Sequence, residues 1–181
     1  MVKSSKGSEF ERTISKQLSL WWTNGDRNDV FWRTAGSGAM AKTRSKQSQT
    51  AFGQYGDIQA TDPVGQSLID LFTIELKRGY SSFTFADVLD CSRKSASQTY
   101  ERFLDQVKQD KKNANSKYWM LITKRNRREA LVCIPYKVYK ALKKELSPCY
   151  WAKLKISRGF IFITKLEDFL KYVTPDNIRK L

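Results

Sequence analysis

The stretch Gly56–Lys77, GDIQATDPVGQSLIDLFTIELK, contains the residues that decide the predicted fold. Its first part, Gly56–Ala60, is short, extended in character and predicted to be a strand. Asp62-Pro63-Val64-Gly65 has the composition of a turn. Leu68–Lys77 is predicted to be a second strand, because apolar residues dominate it and Gly79 follows it closely. The stretch therefore predicts two strands joined by a turn.

The second predicted strand ends in two charged residues. Successive side chains of a strand point to opposite faces. One face then carries Phe72, Ile74 and Leu76. The other face carries Leu71, Thr73, Glu75 and Lys77. Glu75 and Lys77 therefore point the same way, whereas Asp70 has the opposite parity to Glu75 and ranks below Asp57 as a partner.

The rest of the chain is predicted to alternate helices and strands. Hydrophobic periodicity and capping signals place helices and extended segments as follows. The predicted elements are a helix over 8–23, an extended piece at 30–32, a loop over 33–56, a helix over 97–111, strands at 118–122 and 130–134, a helix over 136–146, a strand at 160–163 and a helix over 165–172. This order predicts an α/β (α+β) fold with a central mixed sheet flanked by helices.

The charge balance indicates a polyanionic partner. The chain has 33 Lys and Arg against 18 Asp and Glu, which gives a formal charge of +15. Nucleic acid is the leading candidate for such a surface. No apolar run is long enough to span a bilayer and no signal segment is recognised at the start, so we expect no membrane association and a cytoplasmic, intracellular protein.

The absence of histidine restricts the chemistry that the chain can perform. There are no His residues and only three cysteines, Cys91, Cys133 and Cys149, at wide spacings. Zinc sites and histidine-based catalysis are therefore poorly supported, and we expect the cysteines to be small buried side chains. A catalytic metal would need oxygen ligands, which suits Mg²⁺, with Mn²⁺ as a substitute.

The charged residues of the opening stretch have the chemistry of phosphodiester hydrolysis. Carboxylates that hold Mg²⁺ can stabilise charge on phosphorus and activate water, while a lysine orients that water. Asp57, Glu75 and Lys77 supply this minimal set, and the carbonyl of Leu76 could add a backbone ligand. The alternative is an exposed Glu–Lys pair with Asp57 as a turn residue.

Four short motifs resemble the PD-(D/E)XK nuclease superfamily, and most of all the archaeal Holliday junction resolvases. They are Lys6–Arg12 (KGSEFER), Arg33–Gly38 (RTAGSG), Gly56-Asp57-Ile58 and Glu75-Leu76-Lys77. The resemblance covers about the first 80 residues. Two departures are a basic insertion between Gly38 and Asp57 and the lack of a proline before Asp57.

The resemblance implies a restriction-endonuclease-like core and a homodimer. It also implies metal binding by Glu11, Asp57 and Glu75, and a water-orienting role for Lys77. Ser37 matches a serine of the resolvase active-site loop. Glu11 has an alternative role, because it also stands three residues after Ser8 in a capping-box spacing. We expect a single nuclease domain over 1–181, with a catalytic core at about 6–135 and a C-terminal elaboration at about 136–181.

Three basic groups are candidates for contact with DNA phosphates. One is the loop group Lys42, Arg44 and Lys46, the second is the run 108–117, and the third is the turn group Lys124, Arg125, Arg127 and Arg128. The turn is the strongest candidate, because two strands would hold its four charges in a fixed place. Such contacts contribute affinity and salt dependence rather than sequence reading.

Three functions remain open at this point. The first is a structure-selective DNA endonuclease that acts on branched DNA, of the kind that a phage or mobile element could encode. The second is a sequence-specific restriction or homing-type endonuclease that acts on duplex DNA. The third is a basic nucleic-acid-binding protein without catalysis.

Overall fold

Helices and strands alternate along the protein, as the computed structural model shows. It describes residues 6–34, 55–80, 84–86, 98–156 and 159–181. The elements, numbered in chain order, are α1 (Lys6–Trp22), β1 (Phe31–Arg33), β2 (Ile58–Ala60), α2 (Pro63–Leu71), β3 (Phe72–Arg78), α3 (Gln98–Ala114), β4 (Tyr118–Lys124), β5 (Ala130–Pro135), α4 (Tyr136–Ala141), β6 (Trp151–Ile156), β7 (Gly159–Lys165), α5 (Leu166–Tyr172) and α6 (Pro175–Arg179).

A five-stranded mixed sheet lies at the centre, in the spatial order β3-β4-β5-β7-β6. β3 and β4 are parallel, and the other neighbouring pairs are antiparallel. β1 and β2 form a separate antiparallel pair. The predicted class, a mixed sheet flanked by helices, is confirmed. β3 is an edge strand of this sheet, and this position leaves one side of its backbone open to the segment that contains Asp57.

The two faces of the sheet have separate cores. Phe10, Ile14, Leu18 and Trp22 of α1 are buried in one cluster with Ile74, Met120 and Ile122. Tyr100, Phe103, Leu104 and Val107 of α3 are buried in the other with Trp119, Leu121 and Cys133. The predicted burial of Cys133 and Cys149 is confirmed, and Cys91 lies outside the described residues. Glu75 and Lys77 lie on the face that α3 covers.

The strand predicted over Leu68–Lys77 is wrong in its first half, because residues 63–71 form α2. Asp62 caps this helix by accepting a hydrogen bond from the Val64 N–H at 2.9 Å, and Pro63 occupies its first turn. An Asp followed by Pro is a helix-start signal that we interpreted as a turn. Asp70 is therefore an exposed helical residue, and its strand parity no longer applies.

The alternation predicted over 72–77 is confirmed in β3. Phe72, Ile74 and Leu76 are buried against the α1 side. The strand pairs in parallel with β4, with Glu75 opposite Leu121 and Lys77 opposite Thr123. Glu75 and Lys77 do point the same way, toward α3.

The C-terminal part differs more from the prediction. α4 ends at Ala141, five residues before the expected end, and β6 and α6 were not predicted. β6 lacks an apolar signal because four of its six residues are exposed. Thr164 does not cap α5. Its hydroxyl instead donates to the carbonyl of Tyr150 at 2.7 Å.

Candidate active site

Asp57 is attached to the open edge of β3 by backbone hydrogen bonds. Its N–H donates to the carbonyl of Ile74 at 2.8 Å. Its carboxylate oxygen Oδ2 accepts from the N–H of Leu76 at 2.7 Å. The Asp57 side chain is only 5% exposed. The edge strand therefore fixes both the backbone and the side chain of Asp57.

Gly56 makes this close approach possible. Its φ is +81°, in the left-handed region that favours glycine. A Cβ atom at this position would lie 2.8 Å from the Ile74 carbonyl oxygen and 3.1 Å from Cγ2 of Thr73. Any larger residue would push the segment away from β3, and Asp57 with it.

Glu75 and Lys77 form an ion pair beneath α3. Nζ of Lys77 lies 2.6 Å from Oε1 of Glu75 and 5.4 Å from the centre of the Phe103 ring. The side-chain amide of Gln106 also donates to Oε1 of Glu75. The Glu75 side chain is 2% exposed and the Lys77 side chain 16%. This pair is not the exposed salt bridge of the alternative interpretation.

Burial changes the acidity of the two carboxyl groups. It raises the pKa of Asp57 to about 6, although the hydrogen bond from Leu76 opposes the change. Burial and the negative charge of Asp57 raise the pKa of Glu75 to about 7. Burial alone would lower the pKa of Lys77, but its contact with Glu75 outweighs burial and raises it. Two carboxylates thus share a water-poor site with one ammonium group.

Glu11 lies beside this pair, on α1. Its negative charge contributes to the raised pKa of Asp57. Its oxygen Oε2 lies 3.3 Å from Nη1 of Arg33, and its side chain is 15% exposed. α1 begins at Lys6, so Ser8 lies inside the first turn and the predicted capping position is wrong. Glu11 is therefore close enough to Asp57 for the two charges to interact.

Two residues of α3 were missed by the sequence analysis. Gln106 contacts Glu75 directly, and Asp110 is 2% exposed, with a charge that raises the pKa of both Asp57 and Glu75. Phe103, Val107 and Asp110 follow the i, i+4, i+7 spacing of one helix face. A carboxylate on a buried stripe is a signal that could have identified Asp110.

The loop residues proposed for catalysis and DNA binding lie outside the described residues. These are Ser37, Lys42, Arg44 and Lys46. The described part of the same region ends at Thr34, whose N–H donates to the carbonyl of Asp57 at 2.9 Å. The RTAGSG motif therefore begins directly beside Asp57.

The basic turn lies at the same end of the sheet as Lys77. Lys124 and Arg125 line a small recess together with Lys77, Phe103 and Thr123. Arg127 and Arg128 follow in the exposed turn between β4 and β5. The structure thus brings the start of this basic group to the candidate site.

The donor set fits a hard divalent cation. Asp57 and Glu75 are carboxylates whose pKa values are raised by burial, and a divalent cation beside them would favour their charged form. The N–H and C=O of a strand residue point to the same side, so the Leu76 carbonyl faces the edge occupied by Asp57. Mg²⁺ commonly uses one or two carboxylates and keeps several waters. Among the described residues, no preformed group of three or more His, Cys, Asp or Glu is arranged to hold an ion.

A comparison with protein families identifies the chain's relatives. Residues 2–180 match the model of a family described as "Phage putative PDDEXK endonuclease". The chain belongs to this family. Its sheet and flanking helices accordingly form a restriction-endonuclease-like fold of the PD-(D/E)XK superfamily. No curated protein and no solved structure gave a significant match.

Membership in this endonuclease family identifies the protein as a nuclease. The stretch Gly56–Lys77 can then be compared with the sequence pattern that names the family. Asp57 and Glu75-Leu76-Lys77 match the letters D and EXK of the family pattern. Gly56 stands where the pattern has proline. The structure supplies the reason, because proline cannot adopt the positive φ of Gly56.

Substituting Gly56 should separate the placement of Asp57 from ordinary backbone strain. We predict that Gly56→Ala lowers the free energy of unfolding by about 3 kcal/mol, since the left-handed φ and the clash with Ile74 each contribute. Gly25→Ala is the control. Gly25 has a φ of +93° and nothing within 4 Å of the added Cβ, so about 1 kcal/mol is expected. Equal losses in urea unfolding would show that the close approach is unimportant.

The buried carboxylates should make stability depend on pH in the absence of metal. The pKa of Glu75 is raised from 4.5 to about 7 in the folded state. Its stabilising contribution is therefore present below about pH 4.5 and is lost as the pH rises through about 7. We predict that wild type loses on the order of 2 kcal/mol relative to Glu75→Gln between these values.

The control for this measurement is Glu129→Gln, which removes the same charge from an exposed position in the basic turn. Chemical unfolding with a chelator present, at a series of pH values, gives the comparison. A constant difference between wild type and Glu75→Gln at all pH values would contradict the prediction.

Proposed function

We propose that the protein is a Mg²⁺-dependent DNA endonuclease that hydrolyses phosphodiester bonds at Asp57, Glu75 and Lys77. The observation that carries the proposal is the burial of Asp57 and Glu75 against Lys77 at an open sheet edge. Burying two carboxylates costs folding free energy, so we infer that they serve a purpose other than stability. Membership in an endonuclease family supplies that purpose.

Asp57, Glu75, the Leu76 carbonyl and Glu11 are the proposed metal ligands, with Mn²⁺ able to replace Mg²⁺. When bound, the ion supplies charge stabilisation at the phosphate and lowers the pKa of water. Lys77 is held in place by Glu75 and by the Phe103 ring. Its N–H groups can orient the attacking water or a phosphate oxygen, and Ser37 is proposed to assist from the loop.

The substrate proposed first is branched DNA, such as a Holliday junction, cut by a homodimer. The resemblance of the four motifs to resolvases supports this choice. A role in recombination or repair for a phage or mobile element follows from it. Sequence-specific cutting of duplex DNA, and DNA binding without catalysis, are the alternatives that the experiment below distinguishes.

A single nuclease domain with its core at about 6–135 remains our proposal for the domain organisation. β7 belongs to the proposed C-terminal elaboration, yet it pairs with β5 inside the central sheet. We also propose a cytoplasmic location. In the part of the chain that the structure describes, no helix is long and apolar enough to cross a membrane.

The nuclease proposal is tested with labelled junction, fork, duplex and single-stranded DNA in the presence of Mg²⁺. Asp57→Asn, Glu75→Gln and Lys77→Met should each lower the cleavage rate by roughly a hundredfold or more, since each removes a transition-state contact. Asp70→Asn is the control, because Asp70 is an exposed carboxylate on α2. Full activity of all three site variants would disprove the assigned site.

The choice of substrate follows from the same experiment. Preferential cutting of the junction supports the resolvase-like function. Cutting of plain duplex at one fixed sequence supports the restriction or homing type. Binding of DNA without metal-dependent cutting of any substrate supports the non-catalytic alternative.

The basic turn is proposed to contact DNA phosphates next to the site. Replacing Arg125, Arg127 and Arg128 with Gln should lower the slope of log affinity against log salt by about 3, since each lost phosphate contact lowers it by about 1. Fluorescence anisotropy with a labelled duplex measures this slope. If the slope does not change, the turn lies outside the interface.

A further inference from the structure

A groove lined by lysines lies on the side of α3 away from the candidate site. It has a volume of about 800 Å³ and runs between α3 and the ends of β4 and β5. We call it the lysine groove. Five of its ten lining residues are lysines: Lys108, Lys111, Lys112, Lys117 and Lys137. Its only acidic residue is Asp105. This density of positive charge in a concave surface fits a polyanion.

Among the residues that the structure describes, the lysines of this groove outnumber the carboxylates that line it by five to one. Arginines elsewhere, such as Arg27 and Arg33, form ion pairs with carboxylates. Within the described residues, none of the five groove lysines has an ion-pair partner. Lys117 donates instead to the carbonyl of Leu181. Ammonium groups that outnumber the nearby carboxylates in this way favour a ligand that supplies several negative charges in a row.

The groove and the candidate site share one helix. Gln106 and Asp110 face the site, whereas Lys108 and Lys112 lie on another side of α3. Along the helix axis, these two lysines are only about 3 to 9 Å beyond Gln106. Trp119 lines the groove and lies on the same face of the sheet as Glu75. On β4, Leu121 pairs with Glu75. Trp119 precedes Leu121 by two residues, which is about 7 Å along the strand.

This spacing matches a short stretch of a nucleic-acid strand. Along the axis of α3 alone, Lys108 and Lys112 are offset by about 3 to 9 Å from Gln106, which contacts Glu75. Phosphates of one DNA strand repeat at about 3.4 Å along the helix axis. A duplex that lies along α3 therefore covers this axial offset with a few base pairs.

We propose that the lysine groove is a second phosphate-binding surface, which holds the backbone of duplex DNA outside the candidate active site. The proposal rests on the proposed function, since it places the same DNA at both sites. The groove contributes affinity and fixes the position of the strand, and it reads no bases, because lysine contacts to phosphate carry no sequence information. This role is separate from that of the basic turn, which lies at the opposite end of β4.

The test compares two triple variants with equal loss of charge. Lys108, Lys111 and Lys112 are replaced with Gln in the groove variant. Lys140, Lys143 and Lys144, which are exposed on and after α4, are replaced with Gln in the control variant. Binding of a labelled random-sequence duplex is measured by anisotropy without metal at several salt concentrations, so that no cleavage contributes.

The groove variant should lower the slope of log affinity against log salt by about 3. The affinity advantage of wild type should then shrink about 60-fold between roughly 50 and 200 mM salt. The control variant should keep the wild-type slope. Equal slopes for the groove and control variants, or a loss seen with duplex RNA and not with duplex DNA, would overturn the proposal.

Folding and function are separated from the proposal by two further measurements. If the triple variant unfolds, Lys112→Gln with Lys137→Gln replaces it, since both side chains are exposed, and a slope change of about 2 is expected. Cleavage with Mg²⁺ is measured in parallel. If wild type cuts no DNA but the groove variant still lowers the slope of log affinity against log salt, the nuclease activity is refuted and the proposed role of the groove is supported. If wild type cuts DNA and the groove variant keeps the wild-type slope, only the proposed role of the groove is refuted.

Discussion

The hydrogen bond from the Leu76 N–H to the Asp57 carboxylate connects the small β1–β2 pair to the central sheet at the candidate active site. It satisfies a backbone donor of an edge strand that has no neighbouring strand on that side. The same bond offsets part of the cost of burying Asp57. Glu75 and Lys77, on either side of Leu76, are placed by that strand in turn. The edge strand β3 thus both ends the sheet and positions Asp57, Glu75 and Lys77.

α3 contacts both the hydrophobic core and the candidate site. Phe103 and Val107 anchor the helix on the sheet, and Gln106 and Asp110 lie on adjacent positions of the same face. A shift of the helix along the sheet would move its apolar and polar contacts together. The geometry around Glu75 is therefore as firmly determined as the packing of the core.

The parts of the site that could be predicted are those set by local geometry. Alternation along one strand placed Glu75 and Lys77 together, since it needs only the residues 72–77. The start of α2 was also within reach, because Asp62-Pro63 is a local signal that was assigned to the wrong element. Gln106 and Asp110 are different. Their contribution depends on how α3 lies across β3, and that is decided by tertiary packing rather than by the sequence of either element.

The electrostatics of the protein explain why an acidic site can persist in a chain of net charge +15. Asp57 and Glu75 repel each other and repel a polyanion, so they oppose both folding and DNA binding while their charges are uncompensated. A divalent cation would offset most of the negative charge of the site, whereas the surrounding lysines and arginines act over a longer range and attract a polyanion. The arrangement separates two tasks. Under the proposed function, the basic surface determines whether DNA is held, and metal bound at the buried carboxylates determines whether it is cut.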